Sequence, residues 1–469
     1  MKIVRYRLSE PYILRGWERQ PMVLINREDH GFFHLSSIQF TTLMLCDGVT
    51  EIQDLLTPDM QEVLTGFAQR GMIQKVEEQQ PISENQRYKY YSNRYVESVY
   101  WSITGRCNCR CRHCYVDAPT GRYGELSTEE ALNIIDQMAD CGIMQVEMSG
   151  GEPFVRKDLW LLIDRMIERG ISVGQVYTNA CLVDEHTLDE FEKRSLYPRF
   201  VVSFDGLGWH DWLRGLENVE EETLRGIRLL VKRGFSVTAN MCVHRGNISD
   251  LNTNIQYLES MGVRHVNVSG ITDTPLWREN NQGNLLETND YYAAMLSYIF
   301  EYYRSNVGIS VTLGGVIELF NKAIDGKRYS IIKHNEPDDY CEDCLLCGVI
   351  RWICYITPEG RLVPCMPMTW HEEQKNFPLI KDIGLRRGLN DSYFMEFVSR
   401  KVSDLIAHSE ECRDCRYLKF CKGGCRANAL DFGDLMGPDK DSCFYWQNGY
   451  HERIRKVAEE AVAKYCPEA

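Results

Sequence analysis

From Val99 to Val268 the sequence repeats one unit, a short strand-forming run followed by an amphipathic helix. The candidate strands are Val99–Ile103, Gln145–Met148, Ser172–Tyr177, Phe200–Phe204, Ser236–Met241 and His265–Val268, brief runs in which β-branched and aromatic residues recur. Between them lie helices such as Thr128–Ala139, where Ala131, Ile134, Ile135 and Met138 fall on one side at the helical period. Strands that alternate with helices are joined by crossovers, so the sheet is parallel and clothed in helices, either doubly wound or a complete or partial barrel. In each of these plans chemistry collects at the C-terminal ends of the strands. A chain of 469 residues, 44% apolar, has enough core for smaller domains at both ends of this one.

The loop after the first strand reads "CNCRCRHCYVDAP", Cys107 to Pro119. Cys107, Cys111 and Cys114 form CxxxCxxC, leaving Cys109 a bystander. Three thiolates are one too few to close a structural zinc site or to ligate every iron of a 4Fe-4S cluster, so one iron stays open to a ligand. On spacing alone, the alternative is a zinc knuckle with His113 or Cys109 as fourth ligand. The chain holds 19 cysteines and opens on MKIVRYRLSEPY, which lacks the apolar core of a secretory signal. Metal or cluster ligands are therefore expected rather than an extracellular disulfide framework. No run of about 18 apolar residues occurs, and a soluble cytoplasmic protein without a membrane partner is expected. A formal charge of -14 disfavours a nucleic-acid partner, whose affinity comes largely from Lys and Arg on phosphates.

Four further strand-end or near-strand motifs follow the triplet in order: "SGGEP" (Ser149–Pro153), "YTNA" (Tyr177–Ala180), "SFDG" (Ser203–Gly206) and "HDWLRG" (His210–Gly215). Over roughly 200 residues the chain resembles the radical S-adenosylmethionine (SAM) enzymes. That resemblance implies a partial (β/α)6 TIM-like barrel, a 4Fe-4S cluster on Cys107, Cys111 and Cys114, and SAM chelating the open iron. It also implies a SAM pocket at Gly150, Gly151, Glu152, Pro153, Asn179, Ser203, Arg214 and Val268. In this reading Gly150 and Gly151 let the backbone approach the methionine amine, Glu152 buttresses the loop, and Ser203 lies near the ribose. Arg214 pairs with the SAM carboxylate, and Val268 lines the adenine pocket. His113 stands where the family usually has an aromatic residue against adenine. The chemistry implied is a 5'-deoxyadenosyl radical that removes a hydrogen atom from substrate, with the protein supplying orientation and exclusion of water.

Ten of the 19 cysteines fall between Cys341 and Cys443, a region short of long periodic segments. Metals commonly hold such a region where an apolar core does not. Cys347, Gly360, Cys365, Cys412, Cys415, Cys421, Cys425 and Cys443 match in spacing the SPASM extension of radical SAM enzymes. The resemblance implies two auxiliary 4Fe-4S clusters. The first is held by Cys347, Cys365 and Cys425 with Cys341 as fourth ligand, Cys344 or Cys354 being able to replace it. The second is held by Cys412, Cys415, Cys421 and Cys443. Two zinc ribbons are the alternative.

The N-terminal stretch has strand-like runs at Tyr12–Trp17, Met22–Arg27 and Phe32–Leu35. Three helical stretches follow, around Phe40–Leu45, Leu55–Leu56 and Val63–Phe67. This is a winged-helix-like α+β order, and its acids outnumber its bases. With "LCDGVTEIQDLL" (Leu45–Leu56) it resembles the leader-recognition domain of enzymes that mature ribosomally made peptides, which bind a leader as an added strand. The expected organisation is recognition domain 1–85, linker 86–97, barrel 98–320, bridging region 321–340, SPASM domain 341–445 and C-terminal helix 446–469.

The function expected is a peptide maturase that forms a thioether or carbon–carbon crosslink in a leader-bearing precursor. Flavodoxin or ferredoxin would be its electron donor, and no catalytic acid or base is assigned. The alternatives are a formylglycine-forming sulfatase-type maturase, a haem- or quinone-cofactor enzyme, and a non-enzymatic iron-sulfur electron carrier. Met366, where sulfatase-type enzymes typically carry an Asp after the cysteine matching Cys365, weighs against the first.

Overall fold

The computed structural model describes residues 4–29, 31–118, 121–333 and 340–466. The chain divides into two compact units, Met1–Tyr95 with Asp140–Gly142, and Val96–Ala139 with Ile143–Ala469.

In the first unit, strands β1 (Arg5–Leu8) and β5 (Ile73–Val76) pair antiparallel. Strands β2 (Tyr12–Glu18), β3 (Gln20–Asn26), β4 (Phe32–His34) and β6 (Lys89–Arg94) form a second sheet in the order β4-β3-β2-β6. Two helices pack with them, Ser37–Met44 and Pro58–Gln69. Ser36 and Gln39 close a capping box on the first, and Thr57 with Pro58 starts the second. Leu8, Leu14, Leu24, Leu43, Ile52 and Leu64 lie in one core.

Two expectations fail here. The middle helix around Leu55–Leu56 is absent: Leu55 N closes a single turn on Ile52 O (2.9 Å), and Thr57 with Pro58 already starts the next helix. The polar stretch expected as linker contains β6, which pairs parallel with β2 through Arg15, Gly16 and Trp17. Its alternating charges and tyrosines mark a strand with an exposed face, a pattern with too few apolar residues to register as one.

The second unit is built on an eleven-stranded sheet. Strands β7 (Ser98–Ser102), β8 (Gln145–Ser149), β9 (Ser172–Thr178), β10 (Arg199–Ser203), β11 (Val237–Val243), β12 (His265–Gly270) and β13 (Ser310–Leu313) run parallel in chain order. Many strand residues are bulky and buried, among them Val99, Trp101, Val146, Val176, Phe200 and Val266, and Phe200 meets Phe191 of the helix Glu185–Lys193. This is the α/β, TIM-like partial barrel expected, extended past the sixth strand.

The bridging region is not a bare connection. Strands β14 (Ile317–Ile324) and β15 (Lys327–Ile331) continue the sheet antiparallel, and residues 334–339 lie outside the described residues. At the other edge, β16 (Ile353–Ile356) adds parallel to β7, and β17 (Leu362–Val363) pairs with β16. The cysteine-rich region is thereby stitched into the barrel sheet, with the Tyr355 and Ser102 hydroxyls hydrogen-bonded. Beyond it come helices of four to eight residues. The last helices are Lys440–Gln447 and Tyr450–Tyr465. Among the described residues no helix is long and apolar enough to cross a membrane.

Candidate cluster and cofactor site

The loop after β7 is braced from two sides. On one, Gly151 N donates to Thr104 O (2.8 Å) and Glu152 N to Arg106 O (2.9 Å). A Cβ on Gly151 would lie 2.2 Å from Arg106 O, and one on Gly150 2.8 Å from Thr104 O. These glycines are thus required by the approach of two backbones, the strand-end turn and the cysteine loop. On the other side, Arg110 N donates to Arg214 O and Arg112 N to Leu213 O, both at 2.9 Å. A Cβ on Gly215 would meet Arg110 O at 2.2 Å. The helix His210–Arg214 therefore latches the loop, and Arg112 also donates Nε to Trp212 O (2.8 Å) while lying over the Trp212 ring.

Glu152 is fully buried. Its carboxylate accepts from Thr178 Oγ1 (2.8 Å), Asn179 N (2.8 Å) and Phe154 N (3.3 Å), which ties the end of β8 to that of β9. Burial pushes its pKa up to about 8 against those hydrogen bonds. Pro153, also buried, opens a 3-10 turn. Asn179 donates Nδ2 to Asn108 Oδ1 (2.8 Å), and that nitrogen lies 3.9 Å from Cys107 Sγ. Ser203 ends β10, and Val268 is buried in β12.

Arg214 takes a partner that sequence reasoning did not assign. Its Nε donates to Asp205 Oδ2 at 2.8 Å, and its Nη1 is 3.6 Å from Cys111 Sγ. Asp205 is fully buried and also accepts from Cys242 N (3.1 Å), with His210 Nδ1 at 3.1 Å. Burial alone would raise the Asp205 carboxyl, but the Arg214 guanidinium and then His210 hold it well below the usual range. Asp205 belongs to the "SFDG" motif, so the signal was present in an acid at a strand end.

The predicted thiols lie in the loop after β7 and in the cysteine-rich region. Cys107, Cys111 and Cys114 share one loop, and a negative charge on Cys111 or Cys107 raises the Cys114 thiol, which burial first pushes up, to about 12. Cys109 is buried, 2% exposed, and its N donates to Cys107 Sγ (3.3 Å). Cys365 lies within electrostatic reach of Cys425 and Cys347, burial being the larger cause of its raised pKa. Cys443 is likewise near Cys412, Cys412 near Cys415, and Cys421 near Cys443. Cys341 is exposed beside Cys344, whose N donates to Cys341 O (3.0 Å). Cys354 is fully buried in β16 opposite Val99, so a cluster could reach it only by opening the sheet.

Among the described residues no three His, Cys, Asp or Glu side chains converge tightly enough for a single metal ion. The residues present fit a larger group. His113 Nδ1 is buried without a hydrogen-bond partner, and burial and then the Arg214 charge lower its pKa to about 3. It is thus a neutral ring beside the thiols.

Residues 101–258 match the radical SAM superfamily model. This stretch is a radical SAM domain. Its family implies SAM and a 4Fe-4S cluster. The PqqA peptide cyclase of Granulibacter bethesdensis is 27% identical over 343 residues, 71% of this chain and 83% of that protein. The AdoMet-dependent heme synthase of Oleidesulfovibrio alaskensis is 25% identical, covering 74% and 87%. The crystal structure of Streptococcus suis SuiB bound to precursor peptide SuiA superposes with a TM-score of 0.66 at 15% identity, covering 93% of this chain and 99% of that one. Around the radical SAM domain the fold therefore extends over nearly the whole chain.

Proposed function

We propose that this enzyme matures a ribosomally made precursor peptide, joining two of its residues by a thioether or carbon–carbon bond. The observation that carries the reading is a cleft of about 510 Å³ at the ends of β11, β12 and β13. Its far wall comes from Asn428, Asp431 and Phe432 of the cysteine-rich region. Tyr115 of the cysteine loop hydrogen-bonds Thr272 of the cleft, so a substrate there lies between two thiol sets. Similarity to a peptide cyclase, and a fold shared across the N-terminal unit with a peptide-bound enzyme, support a peptide over a small molecule.

In this proposal Cys107, Cys111 and Cys114 hold the SAM-binding cluster, and Cys347, Cys365 and Cys425 the first auxiliary one, with Cys341 or Cys344 completing it. Cys412, Cys415, Cys421 and Cys443 hold the second. With cluster and SAM bound, one-electron chemistry supplies a 5'-deoxyadenosyl radical for hydrogen abstraction. The chain's own part is positional. Gly150 and Gly151 set the loop, Glu152 and Asn179 join β8 to β9 beside Cys107, and Arg214, held by Asp205, presents its remaining nitrogens beside Cys111. Ser203, Val268 and His113 line the SAM pocket, and Pro153 fixes the turn. The first unit binds the leader as a strand on a sheet edge, and flavodoxin or ferredoxin delivers electrons.

Similarity to a heme synthase keeps a porphyrin substrate as the second reading. Anaerobically reconstituted protein with SAM, a reductant and a leader-bearing precursor peptide should release 5'-deoxyadenosine and remove two hydrogens from the peptide. The same peptide without its leader should react far more slowly. Equal rates with and without the leader would sink leader recognition, and conversion of a porphyrin instead of any peptide would establish the second reading.

A further inference from the structure

Arg426, which directly follows Cys425, is 5% exposed. Its Nη1 donates to Leu435 O (3.0 Å) and Gly437 O (2.8 Å), and its Nη2 to Gly423 O. Its Nε is buried without a hydrogen-bond partner. All three acceptors are neutral carbonyls, and among the described residues no carboxylate forms an ion pair with this guanidinium. Asp439, the buried acid of the same region, is engaged elsewhere: it accepts from Cys425 N (2.8 Å), Ser442 Oγ (2.6 Å) and Asp441 N (3.1 Å). Gly423, at φ +89°, makes room for the guanidinium, since a Cβ there would lie 3.1 Å from Nη2 and 2.4 Å from Leu405 Cδ2.

A buried guanidinium keeps its charge, and a buried charge without a counter-charge is expensive. Carbonyl dipoles solvate it without neutralising it. Arg426 and Cys347 line one cavity of about 10 Å³, whose wall holds Arg400 and no carboxylate. That volume is at the lower limit for a single water, so a solvent anion has no room beside the guanidinium. Arg400 has Glu396 at 3.8 Å, which leaves Arg426 as the uncompensated cation. Burial raises the Cys412 thiol, and the Ser409 hydroxyl and then the Arg426 charge draw it back.

Resting on the auxiliary clusters proposed above, we propose that Arg426 is the built-in counter-charge of the first of them, on Cys347, Cys365 and Cys425. The cation offsets the thiolates when they hold iron, and its idle Nε is a donor of the kind that anionic sulfur accepts. Net charge and hydrogen bonds to sulfur set the potential of such clusters. Each electron added makes the cluster more negative, so Arg426 favours the reduced form and raises the reduction potential.

The test is an anaerobic redox titration of the reconstituted full-length protein with dithionite and mediators, followed by electron paramagnetic resonance, with iron content read for every variant. Adding SAM marks the signal of the cluster on Cys107, Cys111 and Cys114, and Cys347→Ser marks that of the first auxiliary cluster. Arg426→Gln keeps amide donors but removes the charge. At the wild-type midpoint it should lower the ratio of reduced to oxidised first auxiliary cluster at least tenfold, a shift of about 59 mV to more negative potential for one electron. Arg426→Lys, which keeps the charge, should change that ratio by less than about threefold. Iron loss from the Gln variant alone would equally support a required cation. Iron loss from the Lys variant, a fully loaded Gln variant with unmoved potentials, or a shift confined to the other auxiliary signal would overturn the assignment while leaving the auxiliary clusters intact. About four irons in the wild type, rather than about twelve, would overturn both the auxiliary clusters and this inference.

Discussion

Cys107, Cys111 and Cys114 sit on a loop held by four backbone hydrogen bonds, from Gly151 and Glu152 on one side and to Leu213 and Arg214 on the other. Cys347, Cys365 and Cys425 come from three segments whose neighbouring helices are four to eight residues long. The first set follows a strand whose Val99 and Trp101 are fully buried. The second has beside it a small apolar cluster of Leu346, Val402, Leu405, Cys412, Leu418 and Met436. A ligand frame can be supplied by the fold, as in the barrel loop, or can itself help supply the fold; we propose the second for the C-terminal region.

Removing iron should separate the two regions most strongly. After anaerobic chelation, amide exchange in residues 341–445 should accelerate by roughly two orders of magnitude or more, while β7 to β13 stay protected. Equal loss of protection in both regions would break the comparison.

Next in size is the buried pair that braces the barrel loop. Asp205→Asn leaves Arg214 uncompensated and should destabilise the protein by about 3–5 kcal/mol at neutral pH. Because the folded pKa of Asp205 lies below its ordinary value, this stabilisation is present above the usual carboxylate range and is lost as pH falls towards the depressed value. The difference in unfolding midpoint between wild type and variant should therefore shrink on acidification. A pH-independent difference would mean that Asp205 acts by shape rather than charge.

The smallest effect sharpens the same point. Gly151→Ala places a methyl 2.2 Å from the Arg106 carbonyl, and the backbone must shift at a cost of about 1–3 kcal/mol. Thermal unfolding measures this, and an unchanged midpoint would mean that the loop is less firmly seated than its hydrogen bonds indicate.

The strand–helix order of the barrel was legible because each strand end carries its own local pattern, and the observed strands begin and end within about two residues of those read. β6 and β14–β15 were not. β6 and β15 are mostly polar or half-exposed, and β14 buries Ile317 and Leu319 but ends on three exposed residues, so these strands are declared by their partners rather than by themselves. The helix expected at Leu55–Leu56 failed for a local reason: the next helix, capped at Thr57 with Pro58 in its first turn, begins directly after it and leaves room for a single turn only.

At the site, residue types and spacings determined which thiols could serve together, since CxxxCxxC and the C-terminal series are statements about short chain distances. Spacing could not say that Arg214 meets Asp205 or that Cys354 is sealed in β16. Each of these depends on what another segment brings within hydrogen-bond reach. The sequence by itself determined the kind of chemistry and the order of the elements, because ligand type and periodicity are local. Only the tertiary structure decided which polar groups are paired and which remain free for a substrate, because pairing is a property of segments that are distant in the chain and adjacent in space.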